Sequence, residues 1–174
     1  MAKVQVLADN QPLAGEFIQL LKQDGHSVVG KFTEDVDYIV SFSVPVDEKS
    51  EAIMVVPPSS DLIGKRCTIV VHDLVQCGME KWSDLPFQEW FNSECQFPPE
   101  HDFVHYWLSW RDTLSALMGL VFSIPPLPKK LDICGRRGMR TLETFEEFKV
   151  LYQRTMRVLD SGMHVQDLEK KSIT

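Results

Sequence analysis

Three arginines and two glycines form the sharpest chemical feature of this sequence. Gly135, Arg136, Arg137, Gly138 and Arg140 stand directly before a predicted helix. Guanidinium groups offer forked donors that match phosphate or carboxylate oxygens, and glycines permit a tight anion-binding bend. These residues therefore predict a ligand-binding loop for a phosphorylated compound. The alternative interpretation is a solvated basic loop that pairs with the acidic remainder of the chain.

Three further side chains are candidates for acid–base chemistry. Asp9 follows the first predicted strand, His72 follows the fifth, and His105 lies on a predicted long helix. Ligands of open parallel sheets bind beyond the carboxyl ends of the strands, which is where Asp9 and His72 are expected. A general base must also lie within hydrogen-bond reach of the proton that it takes. We therefore name these three as catalytic candidates only if the arginine loop folds back to the same edge.

Metal chemistry has little support in the sequence. His101 and His105 are spaced for one face of a helix, but no third ligand can be identified, so we predict no metal site. The four cysteines contain no C-x-x-C pair, and Cys77 is the one expected to be exposed. Free thiols without an export signal indicate a reducing cytoplasm.

Length and charge restrict the class of protein. The chain has 174 residues and a mass of 20.0 kDa, which predicts a single domain over residues 1–174. Its net charge of −7 disfavours a nucleic-acid or anionic-membrane partner, and no apolar run is long enough to span a bilayer. Residues 125–174 carry ten bases against seven acids. This asymmetry favours contact with another copy or with an acidic protein partner.

The first 75 residues are predicted to be rich in strands. Apolar and β-branched runs predict strands at 3–8, 26–30, 37–42, 52–56 and 67–72. A helix at 12–24, closed by Gly25, joins the first two strands into a βαβ unit with parallel strands. The direction of the third strand stays open, because too few residues precede it for a crossover helix. The expected fold is α/β, with a Rossmann-like or flavodoxin-like, mostly parallel sheet of four or five strands.

The second half, from 80 to 162, is predicted to be helical. Aromatic and aliphatic residues at helical spacing predict a long helix at 103–122, flanked by helices at 82–91 and 142–160. The intervening residues 129–140 are predicted to be a loop, and the polar tail 163–174 is predicted to fray. Trp90 and Tyr106 are expected to be exposed.

The opening of the chain resembles the first βαβ unit of several families. Residues 3–30 resemble a response-regulator receiver, with Asp9 at the acidic pocket, although no acid follows the third strand at Ser41-Phe42-Ser43. The stretch GHSVVGKFT is similar to the start of formyltransferases, and GKRCTIVVHDL is distantly similar to family III CoA-transferases. The shared cause is a βαβ unit whose helix ends in glycine, so these resemblances imply a fold rather than an activity.

The sequence is compatible with two main functions, and it does not identify a cofactor. The first is a non-catalytic Rossmann-like module that acts through protein contacts, as an oligomer or as a subunit of a larger assembly. The second is an enzyme or enzyme relic that binds a nucleotide or a CoA thioester through the arginine loop. A pseudo-receiver is a further alternative.

Overall fold

A computed structural model describes residues 1–9, 11–30, 35–75 and 87–171, and their side chains except at 88 and 160–171. Cys77, the predicted helix start at Trp82 and residues 172–174 lie outside these ranges. The secondary-structure elements are, in chain order, β1 (Lys3–Ala8), α1 (Pro12–Gln23), β2 (Ser27–Val29), β3 (Tyr38–Phe42), β4 (Ala52–Val56), β5 (Cys67–Val71), β6 (Leu74–Val75), α2 (Phe87–Asn92), β7 (Val104–His105), β8 (Leu108–Ser109), α3 (Trp110–Val121), β9 (Lys130–Ile133), β10 (Met139–Arg140) and α4 (Thr141–Lys171).

These elements form two compact units. The first comprises residues 1–84 and 106–137, and the second comprises residues 85–105 and 138–174. The first unit contains the main sheet with α1 and α3, and the second contains α2, α4 and the β7–β10 pair. Folding as a single domain stays a prediction from the length of the chain.

The main sheet has six strands in the order β2-β1-β3-β4-β5-β9, and every neighbouring pair is parallel. Its first five strands follow the flavodoxin-like order, in which β1 and β3 meet at the topological switch point. The predicted α/β fold class is therefore confirmed. The third strand, whose direction the sequence left open, is parallel to both of its neighbours.

The two faces of the sheet are covered differently. Helices α1 and α3 pack on one face, where Phe17, Phe42 and Leu117 are completely buried. On the other face a smaller cluster of strand residues packs against Val46 and Leu62, which come from loops. Among the described residues of the first unit, loop segments cover this cluster.

Helix α1 ends as its sequence predicts. The N–H of Asp24 donates to the carbonyl of Leu20 at 2.9 Å, and Gly25 follows with a φ of 80°. A left-handed backbone at this position strains every residue type except glycine, so Gly25 allows the chain to turn directly into β2.

The prediction of a loop at 129–140 is wrong, because β9 and β10 lie within these residues. β9 pairs with β5 along the edge of the sheet, from Thr68↔Lys130 to Val71↔Ile133. Its alternation of charged and apolar residues leaves one side exposed. Four such residues give no strand signal by themselves, and the pairing with β5 is what makes them a strand.

The helix predicted at 103–122 is also wrong over its first seven residues. Helix α3 begins at Trp110, because the Ser109 hydroxyl caps it by accepting from the N–H of Asp112 at 3.1 Å. Phe103, the first residue of the predicted helix, is 63% exposed. The preceding segment is held extended by the pairing of β7 with β10 and of β8 with β6. Long-range strand pairing has overridden the helical periodicity.

In the second unit an aromatic cluster joins α2 to α4. Trp90 is 3% exposed and its ring meets that of Phe145 at 5.2 Å in a T-shaped arrangement. Phe148 and Tyr152 complete the cluster from α4. The predicted exposure of Trp90 is therefore wrong, whereas Tyr106 is 45% exposed, as expected. Helix α4 also continues to Lys171, past its predicted end at 160.

Candidate functional site

The carboxyl edge of the main sheet gathers several of the predicted site residues. Because all six strands are parallel, Asp9 after β1, His72 after β5 and Gly135 after β9 all lie beyond this one edge. β9 directly adjoins β5, so Gly135 lies close to His72. Asp9 lies roughly 19 Å from the β9 end, because four strand spacings separate β1 from β9. The edge therefore offers two separate places for a ligand.

His72 forms a dyad with Asp132 at this edge. The imidazole Nε2 lies 2.7 Å from the carboxylate Oδ1, and the two side chains are 37% and 54% exposed. The pairing of β5 with β9 sets this contact, because the backbone N–H of His72 donates to Ile133 at 2.9 Å. A carboxylate on one ring nitrogen fixes the orientation of an imidazole. Sequence reasoning missed Asp132 as a partner because it missed the strand that carries it.

Gly135 is required here by close backbone packing. Its N–H donates to the carbonyl of Tyr106 at 2.7 Å, and a Cβ on this residue would lie 1.9 Å from the carbonyl oxygen of Trp107. The glycine therefore serves contact between two segments, and an anion-binding bend is not needed to explain it. Arg136 and Arg137 follow directly and are exposed.

A residue that the sequence analysis did not single out fixes the neighbouring segment. Asp73 adopts a φ of 48°, and its carboxylate Oδ2 accepts from the N–H of Tyr106 at 2.7 Å. Its own carbonyl accepts from the N–H of Leu108 at 3.0 Å. Asp73 thus anchors the same segment against which Gly135 packs. The sequence signal was present, since aspartate tolerates left-handed backbone better than most residues.

Gly138 and Arg140, the other half of the predicted arginine loop, belong to the second unit. Arg140 Nη1 donates to the Asp102 carboxylate at 2.8 Å. That hydrogen bond from Arg140, followed by one from the N–H of Leu142, holds the pKa of Asp102 below its ordinary value. The guanidinium of Arg140 is therefore already bound to a carboxylate within its own unit.

His105 has a position different from the predicted helical face. It lies on β7, and its Nε2 is 3.1 Å from the hydroxyl oxygen of Thr141, the first residue of α4. The helical spacing proposed for His101 and His105 does not apply, because neither residue is in a helix. Within the described ranges no group of three or more histidine, cysteine, aspartate or glutamate side chains has the arrangement of a metal site.

The switch point between β1 and β3 holds two polar atoms that sequence reasoning did not identify. The side-chain Oε1 of Gln11 and the Oγ of Ser43 are shielded from solvent and have no hydrogen-bond partner among the described residues. Ser43 also has a φ of 55°. It stands beside Asp9 in the extended register of the two strands, where a receiver would carry an acid.

The exposed side of α4 is a second candidate site, and it lies in the second unit. Val150 is 44% exposed and Leu151 is 60% exposed. A cavity of about 400 Å³ opens at these residues and is also lined by Glu146 and Glu147. Apolar side chains left in water beside charged ones are typical of protein contact surfaces.

No protein-family model matches this chain, and no curated protein is significantly similar to it. No helix in the described part of the chain combines the length and the apolar character needed to cross a membrane.

Proposed function

We propose that this chain is a non-catalytic Rossmann-like module of the cytoplasm that acts through protein contacts, as an oligomer or as a subunit of a larger assembly. The observation that carries the proposal is the exposed apolar surface formed by Val150 and Leu151 on α4. We call the side chains of Glu147, Val150, Leu151 and Arg154 the contact face of α4.

The contact face is separate from the part of α4 that builds the core of its unit. Phe145, Phe148 and Tyr152 already fill the aromatic cluster with Trp90. Val150 and Leu151 are not part of this cluster and stay exposed among the described residues. Burying a valine or leucine side chain against a partner contributes about 1.5–3 kcal/mol to the free energy of association, which favours binding.

Site-specific photo-crosslinking tests the proposal. A photoreactive amino acid is introduced in place of Leu151 in the full chain inside cells, with the exposed Gln19 of α1 as the matched control position. We expect a discrete covalent adduct from position 151 that is lost when Val150→Asp is added, and no such adduct from position 19. Equal labelling at both positions, or no adduct at 151, would overturn the proposal.

A second candidate function is binding of a phosphorylated ligand, as an enzyme or enzyme relic. It is favoured by the placement of Arg136 and Arg137 directly after Gly135, at the sheet edge that also carries the His72–Asp132 dyad. Guanidinium groups would hold phosphate oxygens, and the dyad would supply an acid or a base. The bond between Arg140 and Asp102 leaves Arg140 a weaker candidate ligand.

Thermal unfolding with a panel of ligands tests this second candidate. NAD, NADP, FAD, ATP, coenzyme A and phosphate are compared at matched ionic strength. A ligand at 100 times its dissociation constant stabilises the folded state by about 2.7 kcal/mol. We expect a specific rise in the midpoint that the Arg136→Ala, Arg137→Ala double variant abolishes and the Lys22→Ala, Arg111→Ala double variant retains. A flat response across the panel would exclude this function for these ligands.

A further inference from the structure

The contact face of α4 carries charges as well as apolar side chains. An α-helix turns by roughly 100° per residue, so Glu147, Val150, Leu151 and Arg154 fall within an arc of about 100°. The centre of that arc lies roughly 140° around the helix from the aromatic residues of the cluster. All four side chains are exposed.

Glu147 and Arg154 are not explained by interactions within α4. Helices commonly pair opposite charges three or four residues apart. No base lies at those distances from Glu147, and no acid lies at those distances from Arg154. Neither side chain forms an ion pair with another described residue. The helix dipole acts within the first turn, and Glu147 lies in the second.

The order of these residues along the helix is self-complementary. Glutamates precede the apolar pair at 146 and 147, and arginines follow it at 154 and 157. Two copies of α4 that run antiparallel, with a two-fold axis midway between Val150 and Leu151, bring Glu147 opposite the partner's Arg154. The same pairing brings Glu146 near the partner's Arg157. A parallel pair would place like charges side by side.

Such a pair would bury its apolar centre between two symmetric sets of ion pairs. Glu147 and Arg154 are about 10 Å apart along the axis, so the two ion pairs would flank the four side chains contributed by Val150 and Leu151. A two-fold contact requires that the same patch be complementary to itself, and this order of charges meets that requirement.

Building on the proposed function, we propose that the partner at the contact face is a second copy of this chain, bound through antiparallel pairing of two α4 helices around Val150 and Leu151. The charge order identifies the partner. A helix face that is acidic before its apolar centre and basic after it is complementary to the same face of a second copy that runs in the opposite direction.

Analytical ultracentrifugation of the full chain with two charge-reversal variants tests the pairing. The wild-type protein is expected to sediment as a dimer of its 20.0 kDa chain. Glu147→Arg and Arg154→Glu each turn both ion pairs of the dimer into contacts between like charges. Each variant should therefore raise the dissociation constant of the dimer at least about tenfold. Leu151→Asp should leave only monomer.

Two rescue measurements separate this pairing from any other dimer. The Glu147→Arg, Arg154→Glu double variant restores opposite charges across the two-fold axis and should dimerise like the wild type. An equimolar mixture of the two single variants should form the heterodimer, although each alone is weakened. Circular dichroism at 222 nm on every variant checks that α4 remains helical.

Three outcomes would overturn the inference. These are a monomeric wild-type protein at 100 µM, a dimer that the single reversals leave intact, and a weakened dimer that neither rescue restores. The crosslinking from position 151 then decides whether the proposed function fails as well. An adduct with the mass of two chains supports self-association, and an adduct of another mass rejects the second copy while keeping a protein contact at α4.

Discussion

The central strands of the first unit and the long helix of the second unit differ in how their apolar residues are placed. In the first unit every residue of β4 and β5 is buried, because a parallel strand inside a sheet has both faces covered. In the second unit, residues 153–159 of α4 are all exposed, and they include Met156, Val158 and Leu159. The central strands of the first unit thus bury their apolar side chains, whereas this part of α4 in the second unit keeps them at the surface of the chain.

This difference indicates where each kind of function belongs. The carboxyl edge of the first unit holds polar and titratable groups on a rigid sheet, which is the arrangement that small ligands use. The second unit offers apolar and charged side chains along one helix, which is the arrangement that protein partners use. Substitutions in both units test this contrast, and those in the buried core of the first unit should change the free energy of unfolding most.

Phe17→Ala tests how strongly the first unit depends on its buried core. Phe17 is completely buried and its ring lies 5.6 Å from that of Phe42, so its removal leaves a cavity between α1 and the sheet. We expect a loss of about 3–5 kcal/mol in the free energy of unfolding, measured by urea denaturation. Gln19→Ala, on the exposed side of the same helix, should change it by less than about 0.5 kcal/mol. Similar values for both variants would contradict the assignment of the core.

A pair of glycine substitutions tests how closely the loops lie against the sheet. A Cβ on Gly64 would lie 2.3 Å from the carbonyl oxygen of Cys67 and 2.8 Å from that of Ala52. Gly64→Ala should therefore destabilise the protein by about 1–3 kcal/mol. Gly119→Ala, where the Cβ meets no atom within 4 Å, should stabilise α3 by about 0.5–1 kcal/mol. Thermal unfolding of both variants should give midpoints that shift in opposite directions.

Gln5→Met tests a buried polar side chain in the first unit. Gln5 is completely buried on β1, and neither its Nε2 nor its Oε1 has a hydrogen-bond partner among the described residues. Methionine has nearly the same shape without the unsatisfied polar atoms, so we expect a gain of about 1–2 kcal/mol in unfolding free energy. A loss of stability in urea denaturation would mean that the amide is satisfied in solution. Gln23→Met, at an exposed end of α1, is the control.

Asp102→Asn tests the acid sensitivity of the second unit. The pKa of Asp102 is lowered in the folded state, so its bond with Arg140 stabilises the fold above the unfolded pKa of about 3.9. That stabilisation is lost as pH falls through the lower folded pKa. We expect the variant to unfold at a lower urea concentration than the wild type at neutral pH, and we expect this difference to shrink as the pH falls below the unfolded pKa. Urea titrations followed by helical circular dichroism measure this, and a pH-independent difference would contradict it.

Much of the fold follows from local patterns in the sequence. The strands at 52–56 and 67–71, helix α1 and the cap at Gly25 are all predictable, because buried parallel strands give apolar runs and glycine relieves a left-handed backbone. The position of His72 beyond the carboxyl end of β5 is likewise set by the chain, because it directly follows that strand. These features depend on interactions between residues that are close in sequence.

Other features depend on contacts between distant segments, which only the tertiary structure decides. β9 is a strand because it pairs with β5, and the two residues of the His72–Asp132 contact between them are 60 positions apart in the sequence. The residues before Ser109 are extended because β7 pairs with β10 and β8 pairs with β6. Trp90 is buried because α4 supplies Phe145. Arg140, likewise, is bonded to Asp102, a residue 38 positions away in the sequence. Residue type and spacing determine what each side chain can do, and long-range packing determines which partner it meets.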